Sequence, residues 1–85
     1  MTIDILMQMA NSAADCFKQA RDHAKKSGKT IYIYGAGIKF YPSFERPDDM
    51  NIEAFVHPDG SYTADKGFIG LVKAADPCFD NETQP

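Results

Sequence analysis

Apolar residues recur every three or four positions over the first part of the chain, from residue 2 to about residue 27. The stripe consists of Leu6, Met9, Ala10, Ala13, Phe17, Ala20 and Ala24. At 3.6 residues per turn these positions fall on one side of a helix, and Gly28 stands where a glycine commonly follows a helix end. Because most of the stripe is alanine, the predicted helix (residues 1–28) can lie close to a sheet.

The next two apolar segments alternate with the period of β-strands. Residues 30–34 and 38–44 are rich in β-branched and aromatic side chains, and the glycine-rich segment 35–37 between them predicts a hairpin loop. The alternation predicts one core face, formed by Ile31, Ile33, Ile38, Phe40 and Phe44. It predicts an outer face with Tyr32, Tyr34, Lys39, Tyr41 and Ser43.

Shorter elements are expected in the rest of the chain, after a loop at residues 45–51. A third strand is predicted at residues 52–57, with Ile52, Ala54 and Val56 facing the core and Glu53, Phe55 and His57 facing outward. The turn after it leads to a short fourth strand at residues 61–63. Helical spacing then recurs at Phe68, Leu71, Val72 and Ala75. Gly67 and Gly70 weaken this helix, so a strand or an irregular segment is the alternative.

The predicted fold class is α+β, with an N-terminal amphipathic helix packed on a three- or four-stranded antiparallel sheet. The sheet takes up residues 29–63, and a short helix and tail follow at residues 64–85. A chain of 85 residues fits one small globular domain. The order α-β-β-β-α resembles that of double-stranded-RNA-binding domains, but the lysine-rich second-helix start of that family is reduced here to Lys66 and Lys73. The resemblance is therefore confined to topology.

The charge and the cysteine content exclude several classes of protein. A net charge of −3 argues against general attraction to nucleic acids or to anionic membranes. No apolar stretch is long enough to cross a bilayer, and polar residues interrupt the N-terminal apolar residues too often for a signal peptide. Cys16 and Cys78 are too few for a disulfide scaffold, so we expect reduced thiols in the cytoplasm.

Motifs for catalysis, for metals and for cofactors are weak. The Gly-x-Gly after the first strand resembles the start of a dinucleotide-binding fingerprint, but Phe40 takes the place of the third glycine and Pro42 cannot open the required helix. The potential zinc ligands are Cys16, His23, His57 and Cys78. They include no closely spaced pair of the zinc-finger type. We predict no enzymatic activity, no metal and no cofactor.

Two groups of residues are candidates for binding. The first is the outer sheet face, formed by Tyr32, Tyr34, Lys39, Tyr41, Phe55 and His57. An aromatic cluster of this kind suits a protein interface, unless the C-terminal segment covers it. The second is a basic line along the helix, formed by Lys18, Arg21 and Lys25. These cations also favour a helix C-terminus and shield the edge of the core, which is the simpler interpretation of the basic line.

Short single domains without an enzyme signature resemble, in size and type, the phage and mobile-element inhibitors of host machinery, including anti-CRISPR proteins. This resemblance implies a non-enzymatic module that occludes a functional surface of a larger protein or nucleoprotein complex. The alternative is a single-stranded nucleic-acid binder that stacks bases on Tyr32, Tyr34 and Tyr41 beside Lys39. Direct nucleic-acid binding is the less favoured hypothesis because the chain is acidic, and no oligomeric state is predicted.

Overall fold

A computed structural model describes residues 2–45 and 52–76 of the chain, with side chains from Ile5 onwards. Most of the predicted loop and the last nine residues, including Cys78, lie outside these ranges. The elements are α1 (Thr2–Ser27), β1 (Ile31–Ala36), β2 (Lys39–Ser43), β3 (Ile52–Val56), β4 (Tyr62–Ala64) and α2 (Lys66–Ala75). The predicted α+β class is confirmed: along the chain, an antiparallel sheet follows an N-terminal helix and precedes a short C-terminal helix.

The sheet has the strand order β2-β1-β3-β4, and all neighbouring strands are antiparallel. Strand β1 lies inside the sheet, and its residues Ile31 and Ile33 are each 1% exposed or less. Strand β3 pairs with β1 rather than with β2, which precedes it in the chain. The sheet edges are therefore β2 on one side and the three-residue strand β4 on the other.

One buried cluster joins the sheet to both helices. Helix α1 contributes mainly alanines, so its axis can lie close to the sheet, and Phe17 is its one large fully buried side chain. The Phe17 ring packs edge-on against Tyr62 with centroids 5.0 Å apart, and it lies 6.2 Å from Phe68. Such edge-to-face pairs add stability beyond the area that they bury. The cluster thus depends on small residues around a single aromatic anchor of α1.

Helix α1 ends as predicted, but its first two turns are more exposed than its apolar stripe implied. Gly28 has φ +71°, and its N–H donates to the carbonyl oxygen of Ala24 at 2.9 Å. Leu6, however, is 53% exposed. Ser12, in the third turn, already lies beside Phe40 near the hairpin end of the sheet. The turns before Ser12 therefore have less sheet beneath them, and the assignment of Leu6 to the buried stripe was wrong.

The β1–β2 hairpin is tighter than the predicted loop at residues 35–37. Strand β1 continues to Ala36, and Gly37 with φ +66° opens a two-residue turn with Ile38. Glycine first in such a turn fits the type II′ geometry that matches strand twist. Ile38 thus lies in the turn and is exposed. Phe44, past the end of β2, is also exposed, with its ring 5.7 Å from that of His23. Both were wrongly predicted to be core residues.

A β-bulge interrupts the predicted alternation in β3. Ala54 is paired with Ile33, but Tyr34 is paired with Ile52, which leaves Glu53 as the extra residue. Residues directly opposite each other share a face of the sheet, so Ile52 lies on the outer face with Tyr34. The prediction that Ile52 faces the core and that Glu53 is in an outward row was therefore wrong. Ala54 is buried, as predicted.

The predicted C-terminal helix is present, and it begins at Lys66, two residues after the predicted start of the C-terminal segment at residue 64. Asp65 caps α2, since its carboxylate accepts a hydrogen bond from the N–H of Gly67 at 2.9 Å. Phe68 and Val72 are buried, and the Phe68 ring lies 5.1 Å from that of Phe40 on the core face. Helix α2 therefore lies on the same side of the sheet as α1. It does not cover the outer face.

Candidate functional site

The outer sheet face carries two pairs of aromatic rings that lie side by side across the strands. Tyr32 is paired with Phe55 across β1 and β3, and their ring centroids are 5.4 Å apart. Tyr34 is paired with Tyr41 across β1 and β2, at 5.7 Å. Tyr32 and Tyr34 are two residues apart on the central strand, so the four rings form one row across three strands. We call these four residues the aromatic row.

The aromatic row is accessible from solvent in the part of the chain that the structure describes. Tyr32, Tyr34 and Phe55 are half-buried, and Tyr41 is 40% exposed. Both helices lie on the opposite side, and the described fold is only 18 Å thick in its shortest dimension, which is the depth of a sheet and one helix layer. None of the hydrogen bonds among the described residues uses the hydroxyl groups of the three tyrosines. No residue that the structure describes therefore competes with a ligand for these hydroxyls.

The two polar residues predicted for this face lie at its opposite ends. Lys39 is exposed and paired with Ala36 beside the hairpin turn. His57 follows β3 at the other end, where its Nδ1 lies 3.0 Å from the hydroxyl oxygen of Thr30. The structure thus brings Tyr32, Tyr34, Tyr41 and Phe55 together, and it separates Lys39 and His57 by the length of β1. The strands that the structure describes contain one cationic residue, Lys39, which lies at the hairpin end of this face.

Sequence reasoning missed two residues of the outer face. Ile52 reaches it through the bulge and is half-buried beside Tyr34. Thr63 is paired with Phe55 from β4, and it extends the face with an exposed hydroxyl group. Regular alternation predicts the wrong side for Ile52, and no residue in β3 identifies the bulge. For Thr63, the alternation in β4 gives the outward position once the pairing of Thr63 with Phe55 is known.

The basic line on α1 lies away from the outer face, on the helix layer. Lys18 and Lys25 are exposed, whereas Arg21 is half-buried with its guanidinium carbon 5.9 Å from the centre of the Phe17 ring. Arg21 therefore covers the edge of the core and makes a cation–π contact. Nearby Lys26 is paired with Asp22 at 3.0 Å. These contacts match the simpler interpretation of the basic line for Arg21, and they leave Lys18 and Lys25 as exposed charges.

The potential zinc ligands that the structure describes do not converge. Cys16 is buried in the core cluster, the His23 ring packs on Phe44, and His57 lies by Thr30 at a strand end. Within residues 2–45 and 52–76, no three His, Cys, Asp or Glu residues lie close enough to hold a metal ion. Cys78 is outside the described ranges. The absence of a metal stays a prediction.

Burial makes Cys16 a poor nucleophile. Its side chain is 4% exposed, and desolvation raises the pKa of Cys16 from 9.0 to about 12. Since the thiolate is the reactive form, this shift lowers the reactive fraction at pH 8 roughly a thousandfold. In a Cys78→Ser variant, we expect Ellman's reagent to modify Cys16 slowly in buffer and rapidly in urea. Equal rates in the two solvents would show that the thiol is accessible.

Comparison of the chain with protein-family models, with curated proteins and with solved structures finds no match. Among the helices that the structure describes, none has the length and the apolar composition to cross a membrane.

Proposed function

We propose that this protein is a non-enzymatic binding module that attaches to a protein partner through its outer sheet face. The observation that carries the proposal is the aromatic row of Tyr32, Tyr34, Tyr41 and Phe55, on a sheet face against which neither helix packs. Tyrosine is enriched at protein interfaces because it offers a large apolar ring and a hydroxyl group at a low cost in conformational entropy.

The chemistry of the face favours an apolar protein surface over a nucleic-acid strand. A strand that stacks its bases on the tyrosines would carry a phosphate at every nucleotide, and nucleic-acid binders neutralise these phosphates with a basic groove. On the outer face, the described strands supply only Lys39 for this purpose. Lys18 and Lys25 lie on the helix layer, on the far side of the sheet. The partner that fits has an apolar centre, groups that hydrogen-bond to tyrosine hydroxyls, and an acidic group near Lys39.

A module of this kind acts by covering what it binds. The proposal therefore includes the expectation from chain size and type that the protein occludes a functional surface of a larger complex, as small phage or mobile-element inhibitors do. The support for this mode of action is the shape of the described fold, a two-layer slab of 40 × 35 × 18 Å that presents one broad sheet face. Four strands of three to six residues, about 4.8 Å apart, give this face an area of roughly a few hundred Å², which suits an interface at the small end of the size range.

The test measures the affinity for the purified partner and for a labelled single-stranded oligonucleotide as a function of salt. The partner is first captured from the native host with the tagged protein, and it is then purified. We expect its affinity to change little between low and high salt, because apolar contacts release few counterions. A Tyr41→Glu variant, which puts a charge in the aromatic row, should lose the partner. Tight oligonucleotide binding that weakens steeply with salt would instead favour the nucleic-acid alternative.

A further inference from the structure

A groove runs between α1 and the edge strand β2. Its volume is about 330 Å³; Ser12, Asp15 and Gln19 line its helix side, and Phe40 and Pro42 line its strand side. The three helix residues share one side of α1 because they are three or four positions apart. A volume at the low end of those for small-molecule sites accommodates one side chain or a small ligand.

The backbone on the strand side of the groove presents hydrogen-bond acceptors only, whereas Lys39 and Tyr41 contribute side chains at its rim. In an edge strand every second residue directs both its N–H and its C=O away from the sheet. Phe40 is such a residue, since its N–H donates to the hydroxyl oxygen of Ser12 at 3.0 Å and not to β1. Pro42, two residues further, has the same orientation and lacks an N–H. The described strand Lys39–Ser43 therefore offers the groove two carbonyl oxygens and no free N–H.

The helix side adds a negative charge. Asp15 is exposed at the groove, and it forms no ion pair with any residue that the structure describes. Gln19, one turn further along α1, has an amide that can rotate its oxygen toward a donor. Cys16 lies between them and is buried, and its raised pKa keeps the thiol uncharged. A carboxylate and carbonyl oxygens facing one small space are suited to a positively charged group with several N–H donors.

We propose that this groove binds a guanidinium group, and that its natural occupant is an arginine side chain of the protein partner. The guanidinium group is planar and carries five N–H donors, so it can pair with a carboxylate and reach a carbonyl oxygen at the same time. An ammonium group has a single charged nitrogen and cannot span both sides of the groove in this way. The acceptors of Asp15, Phe40 and Pro42 thus distinguish arginine from lysine.

The groove is continuous with the outer sheet face. Lys39 and Tyr41 line the groove and, by the alternation in β2, also belong to the outer face. A partner that lies on the aromatic row could therefore place a side chain around β2 and into the groove. The identity of the natural occupant rests on the proposed function, whereas the preference for guanidinium does not. Lys39 is the one cation among the described residues that line the groove, so it repels a cationic occupant. Removing its charge should therefore change the affinity in the opposite direction to removing the charge of Asp15.

The test uses a small probe, N-acetyl-arginine methylamide, titrated into the isotopically labelled protein and followed by NMR. We expect saturable shifts of the backbone amides of residues 12–19 and 39–42, at millimolar affinity. The citrulline analogue has the same shape without the charge. Its affinity should be lower than that of the arginine probe by a factor of roughly five or more. Asp15→Asn should weaken binding of the arginine probe roughly threefold to tenfold, whereas Lys39→Gln should tighten it about twofold.

Both variants change exposed side chains, so the spectrum of each should show the native fold. Equal affinity of Asp15→Asn and wild type for the arginine probe would overturn the proposal. So would equal binding of the citrulline analogue, or shifts centred on Tyr32 and Tyr34 in place of the groove. None of these outcomes bears on whether a protein partner covers the aromatic row. A failure of the groove and a failure of the proposed function are therefore distinguishable.

Discussion

A variant with glutamate in place of Ala13 is expected to be largely unfolded at room temperature. Ala13 is fully buried in the cluster that joins α1 to the sheet and to α2. A glutamate there must displace packed neighbours, and it brings a carboxylate to a site where the cluster supplies no charged partner. An unpaired buried charge and overpacking each cost several kcal/mol, and small domains have only about 5–15 kcal/mol of stability. Circular dichroism during a thermal melt measures the outcome.

Asn11→Glu is the matched control for this experiment. Asn11 is exposed on the same helix, two positions from Ala13, and it receives the same new side chain and charge. The new carboxylate stays in water at this position, and the like charge of Asp15 four residues further costs only about 0.2–0.5 kcal/mol. We therefore expect Asn11→Glu to melt within a few degrees of wild type. If Ala13→Glu also melts like wild type, that result contradicts the burial of Ala13 between α1 and the sheet.

The parts of the fold that were predictable are those in which one periodic pattern dominates. The alanine stripe and Gly28 locate α1 and its end correctly, because a long amphipathic helix repeats its signal over many turns. The alternation in β1 places Ile31 and Ile33 in the core, where both are buried. Helical spacing also predicts α2 in spite of Gly67 and Gly70. Burial of Phe68 and Val72 offsets the low helix propensity of the glycines.

The errors occur where the geometry of a turn or the pairing between strands determines the position of a residue. A single glycine can open a two-residue turn as well as a longer loop, so the spacing of Gly35 and Gly37 did not identify the hairpin turn at Gly37. The bulge at Glu53 follows from the pairing of β3 with β1, which local periodicity does not specify. The exposure of Leu6 depends on how far the sheet extends beneath α1. These are relations between elements, and no local pattern in the chain encodes them.

The aromatic row was predictable, and its accessibility was not. Alternation alone places Tyr32, Tyr34, Tyr41 and Phe55 on one face, since all four lie in regular parts of the strands. Whether the C-terminal helix covers that face depends on the side of the sheet to which α2 returns. An amphipathic helix can cover either face, and the contact between Phe68 and Phe40 decides the matter in favour of the core side. The sequence also did not predict that β2 is an edge strand, the position that creates the groove beside α1.

Replacing both Tyr32 and Tyr34 with alanine is expected to abolish partner binding while the protein stays folded. The two side chains lie on the central strand, and each contacts an aromatic ring of a different neighbouring strand. Interface residues of this type typically lose about 2 kcal/mol or more of binding energy on truncation to alanine. Two such losses would raise the Kd roughly a thousandfold. Because both tyrosines are only half-buried, the cost to folding stability should be modest, about 1–2 kcal/mol.

Three measurements on matched variants decide between the binding surfaces. The double phenylalanine variant at these positions keeps both rings and should retain most of the affinity, with any loss assigned to the hydroxyl groups. Lys18→Ala/Lys25→Ala removes the two exposed charges of the basic line on the helix layer, and it should bind the partner like wild type. Urea melts show that each variant is folded. A folded alanine variant at Tyr32 and Tyr34 with full affinity, together with weakened binding of the lysine variant, would transfer the functional surface to α1.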